Sequence, residues 1–273
     1  MRRTLATLAL AVALVLAGCP GGGESGTAAP TTDSPDGPAT NGVGATPTPV
    51  PLADDHPYVT ADTLDMRALV RAHLQRLRAL ESYMLDNNVT AEYAANGSAA
   101  GSATRLDRVD LADQRAAVMA RQRSPEGTLL RETGTYRNAT HACTLREGSL
   151  TCRETAFDKP RVVGMALETT ALETVYGPAF EPNGTITRDG QGLYRYTATA
   201  LREDFPAGTA GELGTNPVLS EATLLVHPSG RIVEYEITYT TGSDDQRQRG
   251  TYVYTTRNVN ATRVPDAGGF VSE

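Results

Sequence analysis

Three cysteines carry the most specific chemistry in this chain, and the first of them closes an apolar N-terminal run. Arg2 and Arg3 precede apolar residues 5–16, and Leu16-Ala17-Gly18-Cys19 follows. The run is typical of an export signal, because a membrane-spanning helix needs about 20 apolar residues. We expect residues 1–18 to be a signal peptide and Cys19 to carry a lipid, the alternative being an incidental cysteine in an ordinary signal. The paired arginines leave twin-arginine and general export both open.

The other two cysteines, Cys143 and Cys152, fall opposite each other if Glu147-Gly148 forms a two-residue turn. Counted outward from that turn, they form a non-hydrogen-bonded pair, in which the Cα atoms approach to about 4.5 Å. A disulfide accepts that distance, and an exported chain meets oxidising conditions. The competing interpretation is a metal-binding or redox thiol pair, which needs further ligands or a closer spacing. The sequence therefore predicts a structural disulfide.

The remaining reactive side chains form no catalytic motif. There is no His-Glu-x-x-His, no Gly-x-Ser-x-Gly and no glycine-rich loop preceding a helix, and no two of the four histidines share a metal-ligand spacing. We therefore expect no catalytic residue, metal or cofactor. Two glycosidase carboxylates could still occur among the 32 acidic residues, so an uncharacterised hydrolase remains an alternative. The histidines are His56, His73, His141 and His227.

Eleven tyrosines, four phenylalanines and no tryptophan make tyrosine the dominant aromatic residue. Several tyrosines alternate with polar residues and would share one face of a strand. On a curved sheet they would line an apolar cavity, with their hydroxyl groups meeting polar partners. The alternative is that they fill the core between the sheet and its helices. The candidate lining residues are Tyr194, Tyr196, Val233, Tyr235, Ile237, Tyr239, Tyr252 and Tyr254.

The elements that must position these residues are two helices and a series of strands. Apolar residues at three- and four-residue steps predict a helix over 61–83, with His73 at the border of the apolar stripe. A second helix is predicted over 158–177. Strict alternation predicts a strand over 83–93, and residues 96–104, rich in Gly, Ser and Ala, are expected to form a loop. Further strands are predicted at 116–122, 128–137, 194–201, 222–226, 231–239 and 250–256, which gives an α+β fold.

Composition divides the chain into a tether and one domain. Residues 20–51 hold seven prolines, seven glycines and six threonines and cannot form a core, so we expect 19–52 to be the lipidated cysteine and its linker. Residues 53–265 would form a single domain and 266–273 a flexible tail. The formal net charge of −7 disfavours nucleic acid as a partner. Five N-glycosylation sequons are expected to be exposed, at Asn88, Asn96, Asn138, Asn183 and Asn260.

The export motif, the Thr/Pro/Gly linker and a helix ending in Leu80-Glu81-Ser82-Tyr83 before many strands resemble cell-surface lipoproteins of halophilic archaea. The 24 arginines against one lysine fit such an origin. Their domains are similar to the lipoprotein-carrier fold of the LolA and LppX type, and the resemblance covers about residues 58–265. It implies a curved antiparallel sheet forming an incomplete barrel, with two helices on its concave side over an apolar cavity.

The function that this resemblance implies is non-enzymatic. We expect a protein anchored by lipid to the outer face of the cell membrane, which binds a lipid or another apolar ligand in the cavity. The first alternative is a surface interaction or structural module with a solid core, and the second is the hydrolase. The sequence names no protein partner.

Overall fold

The computed structural model describes residues 58–60, 63–146, 148–167, 176–203, 217–242 and 247–271. Within these ranges the chain forms a large antiparallel sheet with three helices, so the predicted α+β class is confirmed. The helices are α1 Met66–Ala79, α2 Lys159–Leu167 and α3 Ala267–Val271. The strands are β1 Val59–Thr60, β2 Thr63–Leu64, β3 Ser82–Tyr93, β4 Ala99–Asp110, β5 Arg115–Arg123, β6 Leu129–Arg137, β7 His141–Arg146, β8 Ser149–Glu154, β9 Glu181–Arg188, β10 Gln191–Ala198, β11 Val218–Val226, β12 Ile232–Thr241 and β13 Gln248–Arg257.

Eleven of the strands form one sheet in the order β8-β7-β6-β5-β4-β3-β13-β12-β11-β10-β9, and β1 pairs with β2 separately. Strands β3 to β8 are a meander, as are β9 to β13, and the pairing of β3 with β13 joins the two halves. Strands β8 and β9 each pair with one neighbour, so the sheet is an incomplete barrel rather than a closed one. We call the face that carries α1 and α2 the concave face and the opposite face the convex face.

Helix α1 is shorter than the predicted span of 61–83, for reasons visible at both ends. The carboxylate of Asp65 accepts a hydrogen bond from the backbone N–H of Ala68 at 2.9 Å, which caps the helix just before Met66. At the other end Leu80 has extended backbone geometry, and β3 begins at Ser82. Of the second predicted helix, α2 covers residues 159–167, and residues 168–175 lie outside the described ranges.

The expected loop at 96–104 is wrong from residue 99 onward. A turn occupies residues 94–96, and β4 already begins at Ala99. Small residues have low strand propensity by themselves, but β4 is paired on both sides, with β3 and β5, and this pairing overrides propensity. The other predicted strands are confirmed within a few residues as β5, β6, β10, β11, β12 and β13.

The cysteine hairpin has the predicted register. Arg146 pairs with Ser149 and Cys143 with Cys152, and a disulfide joins the cysteines at a Cα–Cα distance of 3.9 Å. Another short turn joins β9 to β10. There Asp189 and Gly190 both have positive φ angles, as a two-residue hairpin turn requires.

Two separate cores lie on opposite faces of the sheet. The larger one fills the concave face between α1, α2 and strands β3 to β5 and β10 to β13. The smaller one, on the convex face of β5 to β7, includes Tyr136 and Phe270 of α3. A Cβ at Gly134 would lie 2.6 Å from the ring of Phe270, so glycine is required for α3 to approach. The expected flexible tail at 266–273 is therefore wrong for α3, because Phe270 is buried.

Candidate functional site

Seven of the eight candidate lining residues lie on the concave face and belong to its core, whereas a register shift between β11 and β12 puts Ile232 rather than Val233 into that core. The six tyrosines and Ile237 are at most 6% exposed, and they pack with α1 and with one another. Val233 is half-buried and is not part of this cluster. The structure therefore brings seven of the eight residues together as packed core, which is what the core-filling interpretation expects.

A buried histidine ties α1 to this aromatic core. His73 is fully buried, deeper than the border position that the sequence suggested. Its Nε2 lies 2.9 Å from the hydroxyl of Tyr254, and its Nδ1 accepts a hydrogen bond from the backbone N–H of Ile232 at 3.1 Å. Because Nδ1 accepts, the neutral ring carries its proton on Nε2 and donates to Tyr254. Burial, and then the charge of Arg231, lowers the pKa of His73 to about 3.

Polar groups on β3 and β4 continue into the same interior. Asp107 is fully buried and forms a bidentate ion pair with Arg105, at 2.7 and 3.0 Å. Burial raises the pKa of Asp107, and the adjacent guanidinium opposes that rise. The hydroxyl of Tyr83 is buried without a hydrogen-bond partner among the described residues, and burial followed by the charge of Asp107 raises its pKa. Tyr83 and Asp107 are fully buried at the border of the concave core, which suits a structural role.

The concave face changes character beyond β3. On β5 to β7 most of its positions carry residues no larger than valine. The larger residues on these strands are Gln122, Arg131, Arg137 and Arg146, and β4 adds the Arg105–Asp107 ion pair. The apolar members Ala103, Val118 and Ala120 are half-buried and belong to neither core cluster. We call this set the small-residue face. Its members are Ala103, Val118, Ala120, Thr133, Thr135 and Thr144.

The small-residue face was missed from the sequence, as were three arginines at its edge, Arg137, Arg153 and Arg161. Strand alternation marks which residues share a face, but the same pattern does not say whether a helix covers that face. The signal that could have found it is the absence of large apolar residues from alternate positions of β5 to β7.

The other predicted sites lie away from the concave face or outside the described ranges. Cys19 and His56 precede the first described residue, Tyr58. Four of the sequon asparagines are exposed, but Asn138 is half-buried because its side-chain oxygen accepts hydrogen bonds from the backbone of Thr140 and His141. Glycosylation of these residues stays a prediction.

In the part of the chain that the structure describes, no group of three or more His, Cys, Asp or Glu side chains is placed to hold a metal ion. A search of the same residues finds no helix with the length and hydropathy needed to cross a membrane.

Comparison with known proteins gives distant structural matches. No protein-family model and no curated protein sequence matches the chain. The lipoprotein LppX of Mycobacterium tuberculosis is 16% identical with a TM-score of 0.39, over 73% of this chain and 97% of that one. LprF of Mycobacterium bovis is 14% identical with a TM-score of 0.38, over 74% and 96%. A LolA superfamily protein of Nitrosomonas europaea is 8% identical with a TM-score of 0.25, over 74% and 95%. At such values, the site of this chain has to be derived from its own residues.

Proposed function

We propose that this protein is a non-enzymatic binding protein that holds an apolar ligand, such as an acyl chain, on its small-residue face. The observation that carries the proposal is that Ala103, Val118 and Ala120 are only half-buried and belong to neither core cluster, on the concave side of a sheet whose other half packs against α1. Concave, largely preformed surfaces lined by apolar groups are the usual form of small-molecule sites. The tyrosines are then the packed wall beside the ligand rather than the surface that it covers.

Burial of the ligand would supply the binding energy. Each methylene transferred from water to this surface contributes about 0.8 kcal/mol before the cost of association is subtracted. An acyl chain also matches the chemistry of the surface, because the hydroxyl-bearing members are threonines, which present methyl groups as well. Arg105 and Asp107 border this face, because they lie opposite Ala120 and Val118 in the sheet, but they are engaged in an ion pair with each other. We assign the face binding without catalysis.

Native mass spectrometry of the full chain with Cys19→Ser, before and after incubation with phospholipid vesicles, tests the proposal. We expect an added mass that organic solvent removes. Ala120→Phe fills the small-residue face and should abolish the adduct, whereas Thr104→Phe, at an exposed position on the convex face, should leave it unchanged. A bare wild-type mass after incubation, or equal adducts on both variants, would reject the proposal.

We also infer that the domain is displayed outside the cell membrane, tethered through a lipid on Cys19. The disulfide between Cys143 and Cys152 supports an oxidising compartment, and the export motif and linker supply the tether. Cys19→Ser should move the protein from the membrane fraction to the soluble fraction. A protein that stays with the membrane after this substitution would contradict lipid anchoring.

A second candidate function is a surface module that acts through protein contacts. Leu129 and Leu130 favour it, because they are 45% and 61% exposed at the start of β6. In that case the chain would stay free of lipid, and Leu130→Asp would release a co-purifying protein. An adduct that disappears in Ala120→Phe would decide against this candidate.

A further inference from the structure

Two arginines of the concave face lie in one row across the strands next to the small-residue face. Ala142 on β7 pairs with Arg137 on β6 and with Arg153 on β8, so both arginines point to the side of the sheet on which Ala142 lies. Two strand spacings separate their backbones by about 10 Å. Arg137 follows Thr135 at the next concave position of β6, so the row borders the small-residue face directly.

A third arginine comes from the first turn of α2. The segment before α2 is held against the turn that follows β6, since Thr155 N–H donates to the Thr140 carbonyl at 2.8 Å and Phe157 N–H to the Ala139 carbonyl at 3.1 Å. This pairing brings Arg161 to the end of β6, where Arg137 lies. Val162 of the same turn is buried in the concave core, which fixes the position of the helix start.

Positive charge exceeds negative charge where these arginines meet. Burial lowers the pKa of Arg137, and the charges of Arg161 and Arg153 lower it further, while Asp158 acts in the opposite direction. The carboxylate of Asp158 accepts a hydrogen bond from the backbone N–H of Arg161 at 3.1 Å, as an N-cap does. The Nε of Arg137 is buried and has no hydrogen-bond partner among the described residues. A buried guanidinium N–H without an acceptor is costly, and a bound anion would remove that cost.

We infer that Arg137, Arg153 and Arg161 form an anion-binding cluster that holds an oxyanion, a phosphate or a similar group, at the head of the ligand bound to the small-residue face. Guanidinium groups bind such oxyanions through paired hydrogen bonds in a fixed plane. The inference rests on the proposed function for its apolar part, because the cluster lies at the end of that face. It names the ligand class as an anionic amphiphile.

Binding of three probes to the full chain with Cys19→Ser tests this inference by calorimetry, below the concentration at which any probe forms micelles. The probes are dodecyl phosphate, dodecanol and inorganic phosphate. We expect dodecyl phosphate to bind at least tenfold more tightly than either of the others, the scale on which a charge-assisted hydrogen bond contributes. Raising the ionic strength should weaken the binding of dodecyl phosphate and leave the binding of dodecanol unaffected.

Arginine-to-glutamine variants then locate the site. Arg137→Gln and Arg153→Gln should each lower the affinity for dodecyl phosphate about tenfold and leave the affinity for dodecanol unchanged. Arg115→Gln is the matched control, because Arg115 is exposed and lies on the convex face. It removes the same charge and should change neither affinity.

The outcomes separate this inference from the proposed function. The anion cluster is rejected, and apolar binding stands, if dodecanol binds and dodecyl phosphate binds no more tightly. The same conclusion follows if neither variant changes the affinity for dodecyl phosphate. If inorganic phosphate binds as tightly as dodecyl phosphate and the variants weaken both, the cluster is an anion site for a free phosphate and the head-group assignment is overturned. If none of the three probes binds the wild-type chain, both proposals are rejected.

Discussion

The buried imidazole of His73 makes a quantitative prediction about stability in acid. In the folded protein its pKa is about 3, because burial and the charge of Arg231 disfavour the protonated ring. In the unfolded chain the ring takes up a proton near its ordinary pKa of 6.5. The unfolded state therefore binds the proton first as pH falls. Stability is complete above pH 6.5 and decreases as pH drops from 6.5 toward 3.

The size of the effect follows from these two pKa values. Between pH 8 and pH 5, protonation of the unfolded chain at this one residue should lower the free energy of unfolding by about 2 kcal/mol. Below pH 5 the carboxylates also begin to titrate, so the interval from 8 to 5 isolates histidine best. Urea unfolding across this interval gives the free energies directly.

The variant His73→Gln makes the prediction specific to this residue. Glutamine is neutral throughout the interval and can keep one of the two hydrogen bonds, so the variant should be about 1–3 kcal/mol less stable than wild type at pH 8. That gap should shrink by about 2 kcal/mol at pH 5, because only the wild-type chain loses stability through this group. His141→Gln, which removes an exposed imidazole, provides the reference profile. A gap between wild type and His73→Gln that stays constant from pH 8 to pH 5 would refute the reasoning.

Three further predictions use urea unfolding at neutral pH. Tyr254→Phe should lower the free energy of unfolding by about 1 kcal/mol, because the Tyr254 hydroxyl is hydrogen-bonded to the buried His73. Tyr83→Phe should leave it unchanged or raise it slightly, because the Tyr83 hydroxyl has no partner among the described residues; equal losses in the two variants would contradict this. Phe270→Ala should lower the free energy of unfolding by about 3 kcal/mol. If the variant is as stable as wild type, α3 does not stay packed on the sheet. Replacing Cys143 and Cys152 together by serine should lower the free energy of unfolding by about 2–3 kcal/mol. Native mass spectrometry that shows two free thiols in wild type would contradict the disulfide on which this prediction depends.

Local rules predicted the parts of the fold in which neighbouring residues determine one another. The cysteine hairpin is the clearest case, because a two-residue turn and the alternation of two short strands fix every pair from Arg146–Ser149 outward. Strand β3 is similar. Tyr83, Leu85 and Asn87 all point into the core, as the odd-numbered alternation required.

The incorrect predictions concern segments whose structure depends on residues far away in the sequence. The segment around Phe270 looks like a flexible tail because its partner, Gly134, is more than 130 positions away in the sequence. The cavity prediction met the same obstacle. A tyrosine on a concave strand face has the same alternation whether α1 packs on it or a ligand does, and only the position of α1 distinguishes the two.

The two open edges of the sheet complete the argument for a binding surface. An unpaired edge strand normally invites pairing with another chain. Edge strand β8 is exposed along most of its length, carries Arg153 and is tied to β7 by the disulfide. Edge strand β9 contains Pro182, which cannot donate a backbone hydrogen bond, and Gly184 with a positive φ angle. Edge strand β9 therefore disfavours further strand pairing, and the two edge strands do not pair with each other in the described part of the chain. Arg153 lies on edge strand β8, so the proposed head-group cluster is at the open side of the sheet, beside the small-residue face.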